Sequence, residues 1–207
     1  MMLELRARQV GPWGMNSYGL VCPSTGQSIL IDPGAEPETL TTMLAGTHAL
    51  AILITHSHAD HIGALAEMRA RLNVPVLAHP AAGSGSGEVR IDEPLAHHEC
   101  VPLGDYMLKV YHAPGHTADQ ICIALEGDHR VLVGDTIFEG GPGKTWSAEG
   151  FQVTLRTLRH VVLAWPDAAM CHPGHGTSFR LGDRRAEIEA FLCKDHADFF
   201  GDATWGM

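Results

Sequence analysis

The stretch that decides the fold is THSHADH, residues 55–61. It follows a continuous apolar run at 50–55, typical of a buried strand, and precedes a segment at 62–72 with helical spacing. A turn between two such elements lets several side chains of one loop converge while the elements fix its ends. So dense a group predicts a metal site rather than a polar surface loop. Its candidate ligands are His56, His58, Asp60 and His61.

Three later segments share one form, a predicted buried strand that ends in glycine or proline and is followed by a histidine or an aspartate. Glycine beside each candidate ligand permits a sharp exit from the strand and close approach of the backbone to an ion. Each segment is a weak signal alone, but the repetition of one pattern at several strand ends predicts a shared site. The three candidates are His116 in APGHT (113–117), Asp135 in GDT (134–136) and His175 in PGHG (173–176).

The pattern of the whole chain predicts two mixed sheets packed face to face with helices outside, in a single domain spanning 1–207. Hairpins are frequent, which disfavours an all-parallel α/β sheet. A loop rich in Gly, Ser and Ala is predicted over 81–87. The predicted strands cover 3–10, 18–21, 28–31, 50–55, 75–78, 107–112, 120–125, 130–133 and 168–171. The predicted helices cover 38–44, 62–72, 151–163 and 184–194.

Composition restricts the partners that we expect. A formal charge of −10 disfavours nucleic acid, whose phosphates need a basic surface, and suits an anionic membrane surface poorly. The five cysteines are widely spaced and form no CxxC pair, so reduced thiols and a cytoplasmic location are expected. We expect a small-molecule substrate. An aromatic segment near the end of the sequence (Phe199, Phe200, Trp205) could cover the rim of the site or pack against a second subunit, which leaves a homodimer open.

HxHxDH, PGHT, GDT and PGHG together resemble the metallo-β-lactamase superfamily, and within it the glyoxalase II branch and its small prokaryotic relatives. The resemblance implies the four-layer αββα sandwich, an α+β fold. It implies two divalent metal ions, with zinc expected from the imidazole-rich ligands and iron or manganese as alternatives. It also implies that buried Asp32 orients a ligand histidine; a plain Asp-Pro-Gly turn is the alternative. The implied ligands are His56, His58 and His116 for one metal and Asp60, His61 and His175 for the other, with Asp135 bridging.

The same resemblance implies a hydrolase of a small thioester or ester, similar to hydroxyacylglutathione hydrolase. Two ions that share a water lower its pKa towards about 7, which supplies a bridging hydroxide at neutral pH. Asp60 and Asp135 are the residues expected to serve catalysis directly. Lys144 matches a glutathione-contacting lysine of glyoxalase II, and Trp146 replaces the family's tyrosine while keeping an aromatic wall. Alternatives are a mononuclear iron persulfide dioxygenase, a lactonase or phosphodiesterase, and a non-catalytic metal-binding domain.

Overall fold

The computed structural model describes residues 2–83 and 89–207, so residues 84–87 of the loop predicted over 81–87 lie outside the described part of the chain. Two six-stranded sheets form the centre of the molecule. The first, in spatial order, contains β1 (Glu4–Val10), β2 (Met15–Val21), β3 (Gln27–Ile31), β4 (His48–Leu53), β5 (Val76–Ala78) and β6 (Glu93–Pro94).

The second sheet is built from the later part of the chain, and a small two-stranded sheet is formed by residues that follow its strand β10. Its strands, again in spatial order, are β14 (Phe179–Arg180), β13 (Met170–Pro173), β10 (Arg130–Gly134), β9 (Ile121–Leu125), β8 (Tyr106–His112) and β7 (Cys100–Leu103). The small sheet pairs β11 (Ile137–Phe138) with β12 (Gly141–Pro142). The helices are α1 (Pro37–Met43), α2 (Ala59–Ile62), α3 (Leu65–Leu72), α4 (Ala148–His160) and α5 (Arg185–Leu192).

Alternation along the strands produces the four layers. In β3, Ile29 and Ile31 belong to the apolar cluster shared with strands of the second sheet, whereas Leu30 belongs to the cluster that packs α1 and α3. On the other side, Val131 and Val133 of β10 pack with α4 and α5. The predicted αββα sandwich is confirmed.

Parallel pairing brings the important strand ends to one edge. β3 pairs with β4, and β10 with β13, in parallel, so the carboxyl ends of each pair lie side by side. An isolated antiparallel bridge between Met15 and His175 links the two sheets at this edge. Among the described residues, the helices are all too short or too polar to cross a membrane.

The predicted boundaries differ from the structure in two instructive places. The helix predicted over 62–72 is two helices, and α2 already begins at Ala59, inside the ligand loop. Asp60 and His61 therefore lie on a helical turn rather than on a free loop. The antiparallel pair of β7 with β8 was not predicted, because the four residues of β7 are too few for alternation to be distinctive.

Candidate metal centre

The first group of candidate ligands gathers where β4 leaves the sheet. His58 Nδ1 lies 3.1 Å from His56 Nε2 and 3.0 Å from His116 Nε2, so three ring nitrogens point at a common volume. His56 and His58 come from the loop after β4, whereas His116 follows β8 of the other sheet. Donor atoms of these three residues all lie within 4.8 Å of one another. Such a trio could hold a metal ion.

A second group lies next to the first. His175 Nε2 is 3.0 Å from Asp60 Oδ2, and His61 Nε2 is 4.0 Å from the same oxygen. The donor atoms of Asp60, His61 and His175 again lie within 4.8 Å of one another. Two of these residues are on α2 and the third follows β13, so this group also draws on both sheets.

Asp135 lies between the two groups. One of its oxygens, Oδ2, is 3.6 Å from His116 Nε2 and 3.7 Å from His175 Nε2. Its other oxygen, Oδ1, is 3.5 Å from His61 Nε2. The structure thus brings all seven sequence-predicted ligands together and places this carboxylate where it faces both groups.

Two buried polar atoms show that the cluster fits cations. His61 Nε2 and Asp135 Oδ1 are both buried and have no hydrogen-bond partner among the described residues; they face each other at 3.5 Å, too far for a good hydrogen bond. Such atoms are costly in a protein interior unless something binds them. A divalent cation between the two groups would satisfy both atoms. The donor set, five imidazoles and two carboxylates, is one that zinc and iron accept.

The electrostatics of the centre favour the same fit. Burial, with the neighbouring imidazoles, lowers the pKa of His56 well below its usual value, and burial lowers that of His116 to about 4. Both rings are therefore neutral at pH 7, the form that coordinates a metal. Burial also acts to lower the pKa of His61, but the carboxylates of Asp32 and Asp135 outweigh it and raise that pKa to about 10. This part of the centre strongly favours positive charge.

Asp32 supports the centre through a hydrogen bond to the candidate ligand His61. Its Oδ2 accepts hydrogen bonds from His61 Nδ1, at 2.9 Å, and from Thr55 Oγ1, at 2.6 Å, while Oδ1 accepts the Thr55 N–H at 2.7 Å. Its backbone φ of 51° is in the left-handed region, which aspartate tolerates better than most residues. The contact fixes which nitrogen of His61 faces the centre. The orienting role expected for Asp32 has the geometry that it needs.

Several supporting residues were not predicted. Asn16 and Tyr18, on β2, donate side-chain hydrogen bonds to the Pro173 carbonyl, at 3.0 and 2.7 Å, and the Asn16 N–H donates to the Gly174 carbonyl at 2.7 Å. They hold the loop that carries His175. A Cβ on Gly174 would collide with Asp135 Oδ1 and His61 Cε1, so only glycine fits there.

Two further unpredicted residues hold the loops of the centre. Asp119 Oδ2 accepts the Ser57 N–H at 2.8 Å, so the backbone of Ser57 anchors the ligand loop. Gln120 Oε1 accepts the Asp135 N–H at 3.3 Å. The only signal in the sequence was an Asp-Gln pair directly before the apolar run of β9, and it does not indicate a partner.

The two residues predicted to contact substrate lie at the rim. The Trp146 ring is 57% exposed, and its centroid is 5.2 Å from those of both His58 and His116. The Lys144 carbonyl accepts a hydrogen bond from His116 Nδ1 at 2.9 Å, and its ammonium forms an ion pair with Asp202 at 3.0 Å. Both residues therefore border the first ligand group; their contact with substrate stays a prediction.

The pattern of these strand ends agrees with a family model. The model for the metallo-β-lactamase superfamily matches residues 11–178. The chain belongs to the metallo-β-lactamase superfamily. The resemblance seen in the sequence is thereby confirmed.

Known members of the superfamily differ in how much of their length matches. A probable metallo-hydrolase, YqgX of Bacillus subtilis, is 32% identical over 84% of this chain and 90% of its own length. A hydroxyacylglutathione hydrolase of Anaeromyxobacter dehalogenans is 36% identical over 79% of this chain but only 62% of its own length. The crystal structure of ETHE1 from Myxococcus xanthus superposes with a TM-score of 0.77 and 26% identity, over 89% of this chain and 82% of that one. Family, relatives and ligand set together support a metal-dependent hydrolase.

Proposed function

We propose that this chain is a dinuclear hydrolase of small thioesters or esters, with zinc as its metal. The observation that carries the proposal is the position of Asp135, whose carboxylate lies within 3.7 Å of ring nitrogens from both ligand groups. A carboxylate that faces two sets of ligands is suited to bridging two cations. Imidazole-rich donors favour zinc, although they also accept iron or manganese.

In this proposal, the protein positions the ligands of two cations and provides the negative charge that attracts them. His56, His58 and His116 would hold one cation, Asp60, His61 and His175 the other, and Asp135 both. When bound, a zinc pair lowers the pKa of water and stabilises negative charge that develops on the substrate. Asp60, whose side chain is 23% exposed against 9% for Asp135, is the carboxylate nearer to the open side of the centre.

The rim supports a substrate with a small leaving group. Trp146 offers an exposed aromatic surface beside His58, against which part of a substrate can pack. Lys144 offers the cation that the glyoxalase II resemblance assigns to an anionic thiol, but it is already paired with Asp202. Because that ammonium is already paired, a thioester smaller than that of glutathione fits at least as well.

A persulfide dioxygenase is the second candidate, because the ETHE1 neighbour fits it. Such an enzyme uses a single iron and molecular oxygen, so it needs one ligand group rather than two. The completeness of the Asp60, His61 and His175 group favours the hydrolase. The proposal also includes a small-molecule substrate rather than nucleic acid, which the net charge of −10 supports.

Metal analysis and a substrate panel test the proposal together. We expect about two metal ions per chain, and hydrolysis of thioesters or esters that is lost with a chelator and restored by zinc. Lactones and phosphodiesters in the same panel test the narrower alternatives. One iron per chain, with oxygen consumed when a persulfide is added, would overturn the proposal in favour of the dioxygenase. A fully loaded protein inactive on every substrate would favour a non-catalytic domain.

A further inference from the structure

The segment 201–205 is fastened to the loop that carries Lys144 and Trp146. The Thr145 N–H donates to the Gly201 carbonyl at 3.1 Å, and the Gly201 N–H donates to Thr145 Oγ1 at 3.3 Å. The Trp205 N–H donates to the Gly140 carbonyl at 3.1 Å, and Trp205 Nε1 donates to the Glu139 carbonyl at 2.9 Å. These bonds fix the backbone on both sides of Asp202.

The side chains at the ends of these bonds are buried. Thr145 is 1% exposed, and Trp205 is 5% exposed. A Cβ on Gly141 would collide with the Ala203 carbonyl, so the loop and the segment are in direct contact. Asp202 itself projects outward from this packed base, with its carboxylate 79% exposed. The fold therefore sets the backbone position of Asp202 at the rim, while its carboxylate stays largely exposed.

Lys144 connects this segment to the metal centre. Its carbonyl accepts the hydrogen bond from His116 Nδ1, and its ammonium, 47% exposed, lies 3.0 Å from Asp202 Oδ2. The residue is thus held at its backbone by a candidate ligand and at its side chain by Asp202. A substrate carboxylate that used the ammonium would have to displace Asp202 or lie beside its negative charge.

We propose that Asp202 is a specificity-determining residue that acts through Lys144, by occupying the ammonium and so disfavouring substrates with an anionic thiol portion. This inference rests on the proposed hydrolase function and names its substrate class, thioesters whose leaving group is uncharged. An exposed ion pair is a weak interaction, so the discrimination is modest. The hydrogen bonds on either side of Asp202 hold its backbone, so forming the pair orders only the two side chains.

The test measures binding rather than turnover. The dissociation constant of S-methylglutathione, an anionic thioether that cannot be hydrolysed as a thioester, is measured by calorimetry on the zinc-loaded protein. We expect Asp202→Asn to lower that constant by about three- to fivefold. The matched control is Asp198→Asn, which removes one exposed carboxylate from the same part of the chain and leaves the Lys144 pair intact. It should leave the constant unchanged.

A second background isolates the role of Lys144. In Lys144→Ala protein, adding Asp202→Asn should tighten S-methylglutathione binding less than it does in the wild-type background, because direct repulsion is relieved but the cation that it unmasks is gone. Equal tightening in both backgrounds, an unchanged constant in Asp202→Asn, or no detectable binding to wild type and Asp202→Asn alike, would overturn the inference. Melting temperatures of all variants should match the wild type, since both side chains are exposed.

The two proposals fail in different ways. If the zinc-loaded protein hydrolyses nothing in the substrate panel, the proposed hydrolase function fails, whatever S-methylglutathione does. If it hydrolyses thioesters but Asp202→Asn binds S-methylglutathione as the wild type does, only the role of Asp202 fails. Steady-state KM values for a glutathione thioester and an N-acetylcysteamine thioester of the same acyl group provide a further check. Asp202→Asn should lower the first and not the second.

Discussion

The two halves of the molecule build the same centre in different ways. The first half contributes four candidate ligands from one stretch, residues 56–61, at the end of β4. The second half contributes three, each from a separate strand end, after β8, β10 and β13. The first set depends on the local path of six residues. The second set meets only because the second sheet has the correct order and packs correctly on the first.

The largest expected effect comes from the second half, at Asp135. We expect Asp135→Ala to lower kcat by more than about 100-fold, beyond the 10–100-fold typical of residues that only support ligands, because both ligand groups lose the carboxylate that they share. Activity and metal content per chain are the measurements, with Glu126→Ala, an exposed carboxylate after β9, as the control. Wild-type turnover with two metals retained would contradict the bridging assignment.

A substitution at a residue that is not itself a ligand, Gly174, sharpens the comparison. A methyl group at position 174 would collide with Asp135 Oδ1 and His61 Cε1, while the Gly174 backbone is held by Asn16 and Gly134. We therefore expect Gly174→Ala to weaken metal binding by about 10–100-fold, as loss of a supporting residue does. Gly206→Ala, where a Cβ meets open space, should change nothing. Metal titration showing normal affinity in Gly174→Ala would mean that the loop can shift at little cost.

Substituting Asp32 tests how much the ligands of the first half depend on the residue that orients His61. Asp32→Asn removes the charge that faces His61 Nδ1, and we expect about 10-fold weaker metal binding, mainly at the group that contains His61. Stepwise metal titration should then show one weakened ion and one nearly normal ion. Asp92→Asn, which also removes a carboxylate that accepts a backbone N–H, serves as the control away from the centre. Equal weakening of both ions would instead indicate general loosening of the first sheet.

The smallest effect is expected at the rim. Lys144→Ala, made in Asp202→Asn protein where the ammonium is free, should raise KM for anionic thioesters several-fold and change kcat less, because the freed ammonium contacts substrate in the ground and transition states alike. The His116 bond is made by the backbone of residue 144 and should survive the substitution. Lys109→Ala, on β8, removes a cation elsewhere and controls for net charge. An unchanged KM would exclude Lys144 from substrate recognition.

The contrast between the halves also explains what the sequence could predict. THSHADH is recognisable alone, since its ligand spacing is local, and the strand-end glycines suggested the rest. Four supporting residues were missed because each forms a hydrogen bond with a partner that is distant in the sequence and that only sheet packing brings near. They are Asn16, Tyr18, Thr55 and Gln120. A polar residue inside an apolar strand is visible in a sequence, but its partner is not.

Asp202 could not have been predicted for a related reason. In the sequence it is one of several acidic residues near the end, and nothing marks it as a neighbour of Lys144, 58 positions earlier. The link depends on Trp205 and Thr145 being buried against each other's segments. The aromatic residues near Asp202 in the sequence suggested that this segment packs against another surface, but they did not indicate that the surface is the loop of Lys144.

The hydrogen bonds from β2 to the Pro173 and Gly174 carbonyls have a consequence for the choice of metal. Each ligand group contains residues from both sheets, and these bonds tie the loop of His175 to the first sheet, so the spacing of the donor atoms within each group follows the gap between the sheets. Changing the size of interior side chains between the sheets, such as Ile123, would then change that spacing and with it the size of ion that each group prefers. The choice of metal would then depend on how the hydrophobic core between the sheets is packed, as well as on the identity of the ligands.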